Sequence, residues 1–300
     1  MKFSVKLVAA FFLATIIMPA CNEAPKEVDL RHQIGLQLYS IRDEMQKDAV
    51  GSIQKVGAMG YNTVEPAGYN NEEGTFYGMP AAEFAALCAE NNLKCICSHV
   101  GGPNPCEVSM DECLTWWKKT IADHKAAGCL YIVQPSMPDA AYDSIPGLQK
   151  YCELFNNVGV LCKAEGLQFG YHNHSGEFTT VFDTPDGPVR LYDYMLTHCD
   201  ADKVFFELDL YWIVKGGCDP IEYFQKYPGR FKAYHVKDKL EVGASGEIDF
   251  VALYAQADVA GMEFQIIEQE AFAEGLTPFE SVKISLDNAR AAQAAADARK

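Results

Sequence analysis

Four short apolar runs in this chain each end in side chains able to bind a divalent metal. They are Gln168-Phe-Gly-Tyr-His-Asn-His174, Val204-Phe-Phe-Glu-Leu-Asp209, Phe231-Lys-Ala-Tyr-His-Val-Lys-Asp238 and Glu263-Phe-Gln-Ile-Ile-Glu268. A lone acid at the end of such a run usually caps a helix or closes a turn. A His, Asp or Glu at the same end of four successive runs points instead to a shared ion. A mixed carboxylate and imidazole set suits Mn, Zn, Co or Mg better than a soft metal. Side chains alternate along a strand, so His172 and His174 share a face, as do Glu207 with Asp209 and His235 with Lys237.

The elements that would bring these ends together are legible in the pattern around them. Apolar runs predict strands at Ile34–Ser40, Asn62–Glu65, Lys94–His99, Leu130–Gln134, Gln168–His174, Val204–Asp209, Phe231–Lys237 and Glu263–Glu268. Longer amphipathic segments predict helices at Glu44–Met59, Ala81–Asn91, Met110–Ala127, Ile145–Glu165, Val189–His198, Pro220–Lys226, Phe250–Ala260 and Pro278–Ala296. Gly60, Gly128 and Gly166 stand where helix C-terminal caps belong, and Pro220 sits in a first turn after Asp219. Eight strand–helix units in this length match an α/β chain folded as one (β/α)₈ TIM barrel. An open doubly wound sheet is the alternative, but no Gly-x-Gly-x-x-Gly loop follows the first strand. Barrels of this kind build their sites at the C-terminal ends of the strands. The long loops at Pro66–Pro80, Val100–Ser109 and Ser175–Gly187 are then candidate lids or substrate walls.

Residues 1–20 read as a signal peptide. Lys2 and Lys6 precede an apolar run, Leu7–Met18, too short to span a bilayer, which leads to Met18-Pro-Ala-Cys21. The pattern is similar to a lipoprotein signal with Cys21 as the mature, acylated N-terminus, then a polar tether over residues 21–30 and a barrel over 31–300. A periplasmic or outer-membrane-anchored location in the cell envelope follows, with the membrane reached only through that anchor. The formal charge is −16, and removing Lys2 and Lys6 makes it −18. Such a chain repels nucleic acid, and no basic stripe offsets this. Eleven cysteines are scattered through predicted helices and strands. Cys95 and Cys97 share a face with His99, yet small buried core residues are the better reading than a thiolate site. His124 and His198 fall in predicted helices and read as surface residues.

Gly35-Leu-Gln-Leu-Tyr-Ser-Ile-Arg42, Tyr171-His-Asn-His174, Glu207-Leu-Asp-Leu-Tyr-Trp212, His235-Val-Lys-Asp238 and Glu268-Gln-Glu270 closely resemble motifs of the sugar phosphate isomerase/epimerase-like proteins. These belong to the xylose-isomerase-like TIM-barrel superfamily. The resemblance runs from about Ile34 to Ser285. It implies a metal held by Glu, Asp, His and Glu on successive strands. Asp209, His235 and Glu268 match the last three ligands. At the first, this chain has His172-Asn-His174, so either His172 replaces the carboxylate or Glu177 supplies it. Glu207 lies one layer below Asp209, as a partner of the ligands. Tyr211 and Trp212 would form an apolar wall above the metal for a sugar ring, and Asp209 reads as a ligand more than as a helix cap because Trp212–Gly217 does not read as helical. Glu65 and His99 are candidate substrate contacts, with His99 also a candidate acid or base near neutral pH. Asp238 is expected to point away and bond backbone.

The chemistry implied is loss of a proton α to a carbonyl, giving isomerisation or epimerisation through an enediolate. His174 and Glu177 are candidate bases, with His99 or Lys237 as proton donor or oxyanion partner. Export, and the lack of a phosphate loop after strands seven and eight, favour a small non-phosphorylated carbohydrate: a sugar, keto-sugar or glycoside. Elimination or hydrolysis of a 3-keto-glycoside is the alternative, and a non-catalytic carbohydrate-binding lipoprotein the second. Assembly into a homo-oligomer is left open.

Overall fold

The alternating apolar runs and amphipathic segments close into a barrel in the computed structural model, which describes residues 29–299. The expected signal and Cys21 lie outside the described residues. The barrel strands are β1 (Ile34–Gln37), β2 (Thr63–Glu65), β3 (Lys94–Cys95), β4 (Tyr131–Gln134), β5 (Gln168–His172), β6 (Val204–Asp209), β7 (Ala233–Val236) and β8 (Phe264–Ile267). Each is parallel to the next in sequence from β1 to β3 and from β4 to β8, and β8 pairs with β1. Between β3 and β4 the ring is closed by a parallel bridge from His99 to Val133 and by N–H bonds from Leu130 to Ile96 O and Val133 to Ser98 O. Helices pack outside and bury most of the apolar surface against the strands.

The strands' period of two decides what fills the inside. Low in the barrel, Tyr131, Val133, Phe205, Ala233, Phe264 and Ile266 make an apolar plug with Ile96 and Cys97. The Tyr131 and Phe264 rings stack with centroids 4.2 Å apart. Room for this plug comes from Gly35 and Gly170. A Cβ at Gly35 would fall 2.4 Å from the Ile266 side chain, and one at Gly170 2.5 Å from the Phe205 ring. Continuing upward in steps of two, the same faces carry Glu65, His172, Glu207, Asp209, His235 and Glu268. One alternation thus places an apolar floor beneath a polar mouth.

Several elements differ from the sequence expectation for local reasons. β1 stops at Gln37 because its side-chain oxygen accepts from Tyr39 N–H and turns the chain into a 3₁₀ segment, Leu38–Ile41. The helix expected over Glu44–Met59 breaks at Asp48, whose carboxylate caps Ala49–Met59 through Gly51 N–H. Gly187–Arg190 pairs with Val181–Thr184 as a hairpin, delaying the next helix to Leu191. The segment after Asp209 is a helix after all, Leu210–Lys215. His124, expected at the surface, is fully buried and bonds Thr120 O and Ser98 Oγ. His198 is exposed, as expected. The ten cysteines among the described residues are free thiols, eight of them buried. No helix among these residues is long and apolar enough to cross a membrane.

Candidate metal centre and active site

The ends of β5, β6 and β7 and the residue after β8 place His172, Asp209, His235 and Glu268 around one point, a ligand atom of each lying within 4.8 Å of the others. His235 Nδ1 is 3.4 Å from Glu268 Oε2 and 3.6 Å from Asp209 Oδ2, and His172 Nε2 is 3.9 Å from Asp209 Oδ2. All four side chains are buried. Asp209 divides its work. Its Oδ1 accepts from the N–H groups of Tyr211 and Trp212 and caps the helix that follows, while Oδ2 is buried with no hydrogen-bond partner. The cap and the chemical role, alternatives at the sequence level, belong to different oxygens. His235 Nδ1 is likewise buried and without a hydrogen-bond partner. Unpartnered buried polar atoms are costly, and two of them converging with an imidazole and a second carboxylate fit a divalent cation.

Glu177 sits elsewhere. Its Oε1 accepts from Tyr171 O–H at 2.6 Å and its Oε2 from His174 N–H at 3.0 Å, so the carboxylate braces the loop after β5. It is absent from the groups of gathered ligand atoms, and its pKa is raised, chiefly by burial. The expected ligand role therefore falls to His172, and the structure gives Glu177 a bracing contact where a ligand or base had been expected. His172 is the residue that reaches the point.

Below the four lies a second polar tier. Glu207 Oε2 is 2.8 Å from His99 Nε2 and 3.1 Å from His172 Nδ1. Glu65 Oε2 is 3.1 Å from His235 Nε2 and accepts from Gln37 Nε2 at 3.0 Å. Glu65 is fully enclosed and so supports the site from beneath, where a substrate contact had been expected. His99, expected to titrate near neutrality, is pushed down to about 4 by burial and stays neutral at pH 7. Burial also holds His172 well below its ordinary value. For His235 burial works the same way, but Glu207, Glu268 and Asp209 outweigh it and hold it high. Burial pushes Glu207 up to about 7, with Glu268 and Asp209 adding repulsion.

At the mouth, Lys237 Nζ bonds Glu268 Oε2 at 2.8 Å and Glu270 Oε2 at 3.0 Å. Burial opposes charge on Glu268, but His235 and Lys237 prevail and keep it well below the usual carboxylate range. Lys237 also lies 5.0 Å from the centre of the Trp212 ring. That ring packs edge-on against Tyr211 and lies 5.7 Å from the partly exposed His174. Asp238 turns away to bond the N–H groups of Lys239, Gly243 and Ser245, as expected. Three contributors had no assigned role in the sequence reading: Gln37, Glu270 and Asn173. Asn173 Oδ1 accepts from Asp209 N–H and Tyr192 O–H, tying the ends of β5 and β6 together. All three lie inside the recognised motifs, which was the available signal.

A family model described as Xylose isomerase-like TIM barrel matches residues 53–292. The chain belongs to the xylose isomerase-like TIM barrel family. Among solved structures, two proteins of Parabacteroides distasonis ATCC 8503, each described as a sugar phosphate isomerase/epimerase, are similar over most of their length. One is 35% identical, covering 85% of this chain and 96% of that one, with a TM-score of 0.75. The other is 29% identical, covering 86% and 96%, with a TM-score of 0.77. The inosose dehydratase of Clostridium perfringens is 36% identical over 86 residues, 29% of this chain and 27% of that protein. The match thus spans about a quarter of that relative's length.

Proposed function

We propose that this barrel is a divalent-metal-dependent sugar isomerase or epimerase acting on a non-phosphorylated sugar, keto-sugar or glycoside. The observation that carries the reading is the convergence of His172, Asp209, His235 and Glu268, with Asp209 Oδ2 and His235 Nδ1 left without hydrogen-bond partners. An ion held there supplies polarisation of a substrate carbonyl and offsets the charge that builds when the neighbouring carbon loses a proton. Mn, Zn, Co and Mg all suit the donor set.

The remaining work belongs to the protein's own groups. His174 is the imidazole at the rim with partial access to solvent, its backbone N–H anchored by Glu177 and its ring 5.0 Å from that of His172. It is placed to accept the carbon-bound proton, for which a base must come within about 3 Å. Tyr211 and Trp212, edge-on to each other, offer an apolar wall against which a sugar ring packs. Lys237 keeps Glu268 ionised and oriented. Its ammonium also faces Trp212, where it can steady a developing oxyanion.

The absence of phosphate from the substrate is supported by charge. The cation at the mouth, Lys237, is already held by two carboxylates, and the net charge of −16 repels anionic substrates. A second reading, β-elimination by a lyase, is favoured by the local similarity to an inosose dehydratase, because both reactions begin with the same proton removal. The test is incubation of metal-loaded protein with 3-keto-glycosides, ordinary glycosides and sugar phosphates in D₂O, followed by NMR. Deuterium at the carbon next to the keto group supports the reading, and release of the aglycone with an unsaturated sugar as co-product selects the lyase. Turnover of a keto-sugar with neither deuterium at that carbon nor formation of an unsaturated sugar by loss of an aglycone would overturn both.

A further inference from the structure

We propose that the buried pair Glu65 and Glu207 are positioning residues that select which nitrogen each histidine offers to the metal: Nε2 from His172 and Nδ1 from His235. This inference rests on the metal reading above and goes beyond it. The two rings present opposite nitrogens to the ligand cluster, and a carboxylate lies behind each.

The geometry is asymmetric in a way that a simple ring of ligands does not require. His172 turns Nδ1 down to Glu207 Oε2 at 3.1 Å and Nε2 up toward Asp209 Oδ2 at 3.9 Å. His235 does the reverse, with Nε2 down to Glu65 Oε2 at 3.1 Å and Nδ1 up between Asp209 and Glu268. Glu207 Oε2 also lies 2.8 Å from His99 Nε2. When ionised, Glu207 Oε2 accepts from both ring nitrogens, and in that state His172 Nδ1 and His99 Nε2 each carry a hydrogen. Glu65 Oε2, which already accepts from Gln37, faces His235 Nε2 in the same way, so an N–H on the lower nitrogen of each ring leaves the upper one for the ion. A carboxylate behind a ligating imidazole fixes its orientation and raises its basicity. Gln37 steadies Glu65 from the adjacent strand, so β1, β2 and β6 all take part in aiming two residues on β5 and β7.

The same tier admits a rival use. His99, His172, Glu207 and His235 also bring ligand atoms within 4.8 Å of one another. A second ion there would need the lower nitrogens of His172 and His235 free of hydrogen, so the two assignments are mutually exclusive.

The experiment is a Zn²⁺ titration of the full chain labelled with ¹⁵N-histidine, read by long-range ¹H–¹⁵N correlation, with zinc affinity measured in parallel by competition against a chelator. One zinc per chain is expected, shifting His172 Nε2 and His235 Nδ1 while both lower nitrogens keep their hydrogens and His99 is unmoved. Glu207→Ala and Glu65→Ala are expected to weaken zinc binding about 10- to 100-fold. Glu207→Gln and Glu65→Gln, whose amide oxygens still accept, are expected to restore most of it, which a loss of packing alone would not produce. Metal shifts on the opposite nitrogens, or alanine variants with unchanged affinity, overturn the positioning assignment and leave the metal centre standing. So do two zinc ions per chain with His99 shifted. Zinc that moves neither His172 nor His235 overturns the metal centre itself, and the inference with it.

Discussion

Asp209 shows how much a single residue carries here. One oxygen holds the start of the Leu210–Lys215 helix and the other faces the gathered ligands, so substitutions can separate the roles. Asp209→Asn keeps a cap acceptor and Asp209→Ala removes it. Both are expected to abolish tight metal binding, measured by elemental analysis of the purified protein. Only the alanine variant should lose about 1 kcal/mol further in urea denaturation of metal-free protein. Equal stability of the two would show that the cap is dispensable. Glu268→Gln should also lose the ion, and circular dichroism should show the barrel intact, because the group lies above the apolar plug. Full occupancy in either Asp209→Ala or Glu268→Gln would refute the ligand set. His174→Ala should behave differently, retaining the ion while losing exchange of the substrate's carbon-bound proton by about 10²-fold or more. Loss of metal along with exchange would instead place His174 among the ligands.

At the scale of elements, the Met110–Ala126 helix carries the clearest pH signature outside the site. His124 is on this helix, fully buried, with its ring against Tyr69 and Phe76 and both nitrogens bonded. Burial pushes it down to about 4, from an ordinary value of 6.5. The unfolded chain therefore binds a proton in the window between these values that the folded chain does not, and folding stability falls as pH drops from about 6.5 toward 4. The loss is on the order of 3 kcal/mol across that window. His124→Gln should be less stable at neutral pH from lost ring packing, yet its stability should fall less steeply over the same window. Parallel pH profiles for the two proteins, from chemical denaturation, would rule the attribution out. The segment after Asp209 teaches a related lesson. Trp212–Gly217 has two adjacent glycines and reads as loop, but a capped N-terminus and packing of Leu210 and Ile213 into the core are enough for six helical residues.

For the whole molecule, charge and the N-terminal pattern bear on where the barrel works and what reaches it. An acidic surface with Lys237 bound by carboxylates predicts neutral sugars as better substrates than their phosphates, a preference that kcat/KM measured on matched pairs would check. Residues 1–21 predict processing at Cys21. Mass spectrometry of protein from its native host should show an acylated Cys21 N-terminus, and Cys21→Ala should release the protein from the membrane fraction. An intact Met1 in that material would remove the argument from export, leaving the charge argument to stand alone.

What the sequence determined by itself was the periodic part: eight βα units, the polarity of each strand from apolar floor to polar end, and the motifs that mark the family. Period-two alternation and helix caps are local properties, and they survive folding because every neighbour repeats them. The tertiary structure decided everything that depends on distance across the barrel. The motif His172-Asn-His174 and the later Glu177 were equivalent on paper; the turn after β5 commits Glu177 to Tyr171 and the His174 N–H, and only His172 reaches the point. Glu65 and His99 look like mouth residues along their own strands. The stagger of a closed barrel sinks them level with Glu207, because residues at the same place in different strands do not lie at the same height. Burial then keeps His99 neutral, and closing the ring, which no single strand encodes, sets what each carboxylate holds.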